Sequence, residues 1–311
     1  MPINSQYIKQ LALEVGFSDC GFSRASALSA DEYPLEQWLD GGCHAGMQYM
    51  ERNTAMRRDP RLLVEGARTV ISLVAAYKPD RQMEGPFHIA MYAYGEDYHE
   101  RLKRMMYQLI ALIRERYPDF EGKPCVDTVP ISDRHWALRA GLGWIGRNSL
   151  FIHRSLGSFC FLCEIVTTAE LEDVQYESGQ AESEENNTQV HGCGDCHLCI
   201  DACPNGALSD NSPFVDARKC TSYNTIENRD QMLPDNLDAR GYIFGCDICQ
   251  LVCPYNRQAP PAYHLDDSRK AELESLPYVD ETAFRHFSKH SALSRIKYCQ
   301  WQRNIKKVSD N

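Results

Sequence analysis

Eight of the fourteen cysteines in this 311-residue chain fall into a pattern that leaves the fold around them little freedom. Cys193-Gly-Asp-Cys196-His-Leu-Cys199-Ile-Asp-Ala-Cys203-Pro204 is the run C-x-x-C-x-x-C-x-x-x-C-P. In that run the first three thiolates hold one cubane iron-sulfur cluster and the fourth reaches across to a second. Cys246-Asp-Ile-Cys249-Gln-Leu-Val-Cys253-Pro254 repeats the last three positions, and Cys220 stands upstream in place of the missing first. Two [4Fe-4S] clusters are therefore expected, one on Cys193, Cys196, Cys199 and Cys253, the other on Cys203, Cys220, Cys246 and Cys249. Two residues between thiolates let a turn wrap one face of the cube, with its amides pointed at the sulfurs. A pair of structural zinc sites would need neither the third close cysteine nor the C-P ending. Cys20, Cys43, Cys125, Cys160, Cys163 and Cys299 are scattered and read as small buried hydrophobes.

Cysteines packed in C-x-x-C units point to metal in a reducing compartment rather than to disulfides. The N-terminal MPINSQYIKQLALEVG lacks a basic stretch followed by an apolar one, and no apolar run approaches membrane-spanning length. A cytoplasmic protein with no membrane association is expected, and a monomer. A net charge of −10 argues against non-specific coating of nucleic acid. The charge is uneven, however: Glu170 to Gln189 holds seven acidic residues and no basic one, whereas Phe284 to Asn311 holds seven Lys/Arg against one Asp. A local anion-binding surface therefore survives the global sign.

Ser5 to Val15 and Glu100 to Tyr117 have helical apolar spacing, while Thr69 to Tyr77 and Phe159 to Thr168 read as buried strands. The expected organisation is an α/β (α+β) domain over 1–170, an acidic linker over 171–190, a ferredoxin-like double-cluster module over 191–260, and a short basic helical tail over 261–311. The richest stretch of the first domain is 126–149. It carries Gly141, Gly143 and Gly146, which permit close backbone approach to a bound group, and two acids, Asp127 and Asp133. Gly-Leu-Gly-Trp-Ile-Gly matches G-x-G-x-x-G but follows what reads as a helix, which disfavours a dinucleotide site. Asp127 is expected at a strand end or turn, where capping competes with catalysis as its role.

Clusters held by four thiolates offer substrate no open coordination position, so the chain is either an electron-transfer subunit or carries a second cofactor in its first domain. Val126-Asp-Thr-x-Pro, the stretch from Arg139 to Asn148, Tyr94-Gly-Glu-Asp-Tyr-His99, and the run from Gly245 to Asn256 together resemble the epoxyqueuosine reductase family along nearly the whole chain. The resemblance implies a cobalamin-dependent oxidoreductase that removes the epoxide oxygen of epoxyqueuosine at the tRNA wobble position, yielding queuosine and water. It implies an external one-electron donor of flavodoxin or ferredoxin type. It also places the proton donor at Asp127, whose pKa burial would have to raise, with Asp133 as second choice.

Cofactor contacts implied by the resemblance are Arg58, the Asp97-Tyr98-His99 segment, Asp127, the segment with Asn148, Phe151 and His153, and Thr221 and Ser222. The D-x-H-x-x-G signature is absent, so neither His99 nor His153 is expected to ligate cobalt. For the tRNA anticodon stem-loop, Arg285, Lys289, Arg295, Lys297, Arg303, Lys306 and Lys307 are expected to meet phosphates, with Trp301, Tyr298 or Tyr223 stacking on a base. Many family members continue into a C-terminal helical-repeat region, and this sequence ends at Asn311, which implies weaker tRNA affinity. The rival readings are a bare electron-transfer subunit, a reductive dehalogenase-like cobalamin enzyme, which would bring an export signal and extra length, and a zinc-holding tRNA-binding module.

Overall fold

Mostly apolar residues on both faces of Thr69 to Tyr77 leave neither face of a strand fit for water, so that strand has to be central. The computed structural model, which describes residues 3–172, 174 and 192–310, places it so. The acidic stretch lies almost wholly outside the described residues. Helix α1 (Ser5–Val15) and strand β1 (Asp19–Arg24) lead through short helices α2 (Leu35–Asp40) and α3 (Thr54–Arg58) to β2 (Thr69–Ala76). Then come β3 (His88–Ile89), α4 (Tyr98–Arg116), β4 (Gly122–Cys125), α5 (Asp133–Arg139), the hairpin of β5 (Gly143–Ile145) and β6 (Phe151–His153), and β7 (Cys160–Thr167).

The main sheet has the order β1-β2-β7-β4 with every pair antiparallel, which makes this half of the molecule α+β. Side chains alternate across it with the period of two that a strand imposes. Ile71, Leu73, Cys163 and Ile165 pack with Ile8, Leu102, Met106 and Leu109 of α1 and α4. Val70 and Val166 meet Trp136 of α5 on the opposite face. Asn4 caps α1 by accepting from the Tyr7 amide, and Gly16 ends it at φ 107, where a side chain would be strained. The G-x-G-x-x-G stretch follows α5, as its sequence suggested, and Gly143 sits where a Cβ would fall 2.1 Å from the Ile152 carbonyl oxygen.

The cysteine segment contributes α6 (Leu198–Asp201), α7 (Thr221–Ile226), β8 (Tyr242–Phe244), α8 (Ile248–Leu251) and α9 (Pro254–Gln258). Strand β8 pairs in parallel with β3, tying this segment to the N-terminal half. Three helices follow, α10 (Asp267–Ser275), α11 (Glu281–Ser288) and α12 (Tyr298–Ser309). They close a second core in which Phe284, Leu293 and Trp301 meet Tyr77, Ile89, Phe159 and Phe244. Asn304 is fully buried and donates to the carbonyls of Thr225 and Ile243. Of the aromatic residues expected to stack on a base, Trp301 is committed to the core and the two tyrosines are tethered by their hydroxyls. Trp301 has no exposed surface, the Tyr298 hydroxyl donates to the Val279 carbonyl, and the Tyr223 hydroxyl accepts from the Gly46 amide. Basic residues and a 3.6-residue period made this region look like a free amphipathic tail, and its apolar face is what the second core required. Trp301→Ala should cost about 3–5 kcal/mol, read as a lowered urea midpoint with an unchanged slope.

Candidate active site

The structure gathers the eight motif cysteines into two groups. Cys199 lies within electrostatic reach of Cys193 and Cys253, and Cys253 within reach of Cys193 and Cys196. Cys246 is near Cys220 and Cys203, and Cys249 near Cys246 and Cys220. The first four thiols line a cavity of about 300 Å³ together with Arg147, Asn148 and Tyr255. Backbone amides point at the sulfurs: Ala207 donates to Cys203 at 3.3 Å, Ser222 and Tyr223 to Cys220, Ile248 to Cys246, and Tyr255 and Asn256 to Cys253. Burial pushes the thiols of Cys199, Cys220, Cys246 and Cys249 up. As free thiols they would stay protonated, and a cationic centre is what converts such a set to thiolates. Cavity, amides and donor set all fit iron-sulfur cubes. Cys249 is also within reach of Cys199, so the two groups are neighbours.

Asp127 stands in the turn that follows β4, as expected from its neighbours in sequence, with φ 36. A non-glycine residue there stores backbone strain of about 1–3 kcal/mol and is a mark of functional sites. The Tyr98 hydroxyl donates to Asp127 Oδ2 at 2.7 Å, and His99 Nε2 lies 3.0 Å from the same oxygen. The other ring nitrogen of His99 is 2.8 Å from Asp97 Oδ1. A neutral imidazole has one N–H, so two carboxylate partners favour the imidazolium. Burial alone would lower the His99 pKa, and the two carboxylates outweigh it and raise it.

The Asp127 side chain is 58% exposed, within reach of solvent, while Tyr98 and His99 hold one of its oxygens. The surroundings by themselves would raise its pKa, but the bonds from His99 and Tyr98 and the charge of Arg295 bring it below the ordinary carboxylate value. The expected upward shift is thus reversed, because sequence could not show that a cation and a hydroxyl converge on the carboxylate. The raised acid is Asp133, half-buried at the start of α5 with its Oδ1 shut off from solvent.

The other expected contacts divide sharply. Arg58 pairs with Glu36 and donates to the Tyr33 carbonyl at 3.1 Å. Asp97 caps α4 by accepting from the His99 amide. Asn148 walls the cavity of the first cysteine group, whereas Phe151 lies in the core under α5. His153 is buried and bonded to Asp19, which Lys9 also pairs, so it is far from the Asp127 cluster in role and partners. Thr221 is buried and holds Asn205, and Ser222 borders Cys220.

Sequence reasoning missed Tyr49, Tyr92 and Glu227, which share the electrostatic surroundings of Asp127. Arg295 bonds Glu227 at 2.6 and 3.0 Å and lies 5.7 Å over the half-exposed Tyr49 ring. No spacing linked residues so far apart in the chain. A second cavity, of about 350 Å³, lies between Tyr33, Trp38 and Arg134 on one side and Ser209 to Val215 on the other.

Residues 57–128 match the family described as "Epoxyqueuosine reductase QueG, DUF1730", and residues 192–256 match the "4Fe-4S double cluster binding domain". The epoxyqueuosine reductase of Cyclobacterium marinum is 38% identical, over 97% of this chain and 96% of its own length. That of Escherichia coli is 35% identical over 97% and 79%. The solved epoxyqueuosine reductase of Streptococcus thermophilus superposes with a TM-score of 0.79 at 31% identity, covering 97% of this chain and 80% of that one. An epoxyqueuosine reductase holding a tRNA-Tyr stem loop that carries epoxyqueuosine superposes with a TM-score of 0.78 at 26% identity, with the same coverage. Related at this level along nearly its whole length, this chain belongs to the epoxyqueuosine reductase family.

Proposed function

We propose that this protein reduces epoxyqueuosine in a tRNA anticodon stem-loop to queuosine and water, using cobalamin and two [4Fe-4S] clusters. The observation that carries the reading is the strained, solvent-reachable Asp127 with Tyr98 and His99 fastened to one of its oxygens. When bound, cobalamin supplies a low-valent cobalt to the epoxide and the clusters supply electrons singly, from an external flavodoxin- or ferredoxin-type donor. Arg58 and the Tyr98-His99 segment, with Ser222 beside the second cysteine group, would hold it. The protein is expected to work in the cytoplasm, as a monomer.

Opening an epoxide leaves oxygen carrying negative charge, and the chain's task is to protonate it. Asp127, ionised at rest, must first be loaded. His99 is bonded to it and positively charged, so it is the immediate source. Turnover should therefore hold steady on the acid side and fall as pH rises through the raised pKa of His99. In His99→Asn that descending limb should disappear or move, which a pH-rate profile will show.

A chain of net charge −10 has to meet RNA locally. Arg295, Arg303 and Lys307 are engaged by Glu227 and by backbone carbonyls. Lys289 and Lys306 are exposed and form no ion pair among the described residues. Converting both to Glu should weaken stem-loop binding and flatten its salt dependence by about one unit of slope per lost phosphate contact.

The assay is anaerobic reduction of an epoxyqueuosine-bearing stem-loop with cobalamin present, read by mass spectrometry. Queuosine formation supports the proposal. A brown protein that binds no corrin and forms no queuosine would replace it with the electron-transfer reading.

A further inference from the structure

Under α5 the main sheet carries polar side chains that the chemistry above leaves unused. Gly21, Ser72, Glu164 and Cys125 stand opposite one another across β1, β2, β7 and β4, so their side chains share one face. Asp133, the first residue of α5, is buried against Glu164. Glu164 and Ser72 have no exposed surface. Both Glu164 oxygens, Asp133 Oδ1, the hydroxyls of Ser72 and Ser23, and Trp136 Nε1 are buried without a well-formed hydrogen bond among the described residues. Each such atom costs about 1–3 kcal/mol, and so many on one face call for water between them and for protons on the acids.

The charges around the pair are few. Cys125 and Asp127 face it from β4 and the following turn, and Arg134 turns its guanidinium to the Ser149 carbonyl. Burial, and then each carboxyl's charge upon the other, push both acids up. Arg134 pulls Asp133 the other way, but its guanidinium is spent on the Ser149 carbonyl, and two carboxyls this close resist ionising together.

The reduction consumes two electrons and two protons per epoxide, because both carbon-oxygen bonds break and the oxygen leaves as water. Asp127 with His99 accounts for one proton. We propose that Glu164 and Asp133 form an internal proton store that reloads Asp127 on the β4 side and is itself refilled through water held by Ser72 and Ser23 on the β1-β2 side. The inference rests on the reading of function above. In the step, the O–H bond of Asp133 breaks and one on Asp127 forms, Glu164 refills Asp133, and solvent refills the pair. The electrons come from the external donor. An oxygen freed from carbon is more basic than any carboxylate, so the overall transfer runs downhill. Glu164 touches no substrate and acts through Asp127 as a positioning and relay residue.

The test is infrared difference spectroscopy on the holoenzyme at neutral pH, combined with kinetics of Glu164→Gln. A protonated-carboxyl band that shifts in D2O, moves with 13C-labelled glutamate and vanishes in the variant is expected. The variant should keep its KM, iron and corrin, lose at least about tenfold in kcat, and show a larger solvent isotope effect. Absence of the band in the wild type, or wild-type kcat in the variant, overturns the store. Should Glu164→Gln not fold, the labelled wild-type band decides. A wild type inert on the stem-loop with the band present overturns the reading of function and the relay with it. An active wild type without the band overturns the store alone.

Discussion

Asp127→Asn should lower kcat for epoxyqueuosine reduction by about 10²–10⁴-fold, with iron, sulfide and corrin contents unchanged. Asparagine has the shape of aspartate and tolerates the left-handed backbone that Asp127 occupies at φ 36, so the turn survives. Its amide oxygen can still accept from Tyr98. What it lacks is an acidic proton. Single-turnover reduction followed by mass spectrometry isolates that step from electron delivery. A variant within a few-fold of the wild type would move the role to His99 or Tyr98.

Cys253→Ala is expected to have the other large effect. The residue lies at the start of α9 yet belongs with Cys193, Cys196 and Cys199 around the cavity of about 300 Å³. Its removal leaves three thiolates for a centre that needs four, so iron should fall from about eight to about four per chain. Turnover with an external donor should be lost, because one of the two proposed clusters would no longer assemble to pass electrons on. The amides of Tyr255 and Asn256 also lose their acceptor, and Asn256 bonds the Ser158 amide and hydroxyl beneath it. Iron analysis and electron paramagnetic resonance on the reduced protein are the checks. Full iron content in the variant would show that a different residue supplies the fourth ligand.

What could be read from the sequence depended on how local each feature is. The motif cysteines stand two and three residues apart, so spacing alone proposed their grouping, and bringing in Cys220 took only the assumption of one displaced position. The central strand was legible because its run is mostly apolar and β-branched on both faces. The same kind of run in β7 concealed Glu164, whose partner Asp133 comes from a helix far away in sequence. Asp127 could be named, but not its ionisation, which depends on His99 and Tyr98 at the start of α4. His153 could be named from the family's pattern, but not the bond of its ring to Asp19, which lies far away in sequence. Trp301 shows the same limit: helical periodicity says that one side of α12 is apolar, and nothing about whether RNA or protein covers it.

The crossing of Cys253 to the group of Cys193 bears on how the protein is made. With that ligand set, the first cube cannot close until translation has passed Cys253, well after Cys193, Cys196 and Cys199 have emerged. Cys203 waits in the same way for Cys246 and Cys249. Six thiols would thus leave the ribosome before either set is complete, exposed to oxygen and to stray metals. Nascent chains should depend on a reducing cytosol or a delivering carrier during that interval, and growth in air should lower the yield of cluster-loaded protein before it harms the finished enzyme.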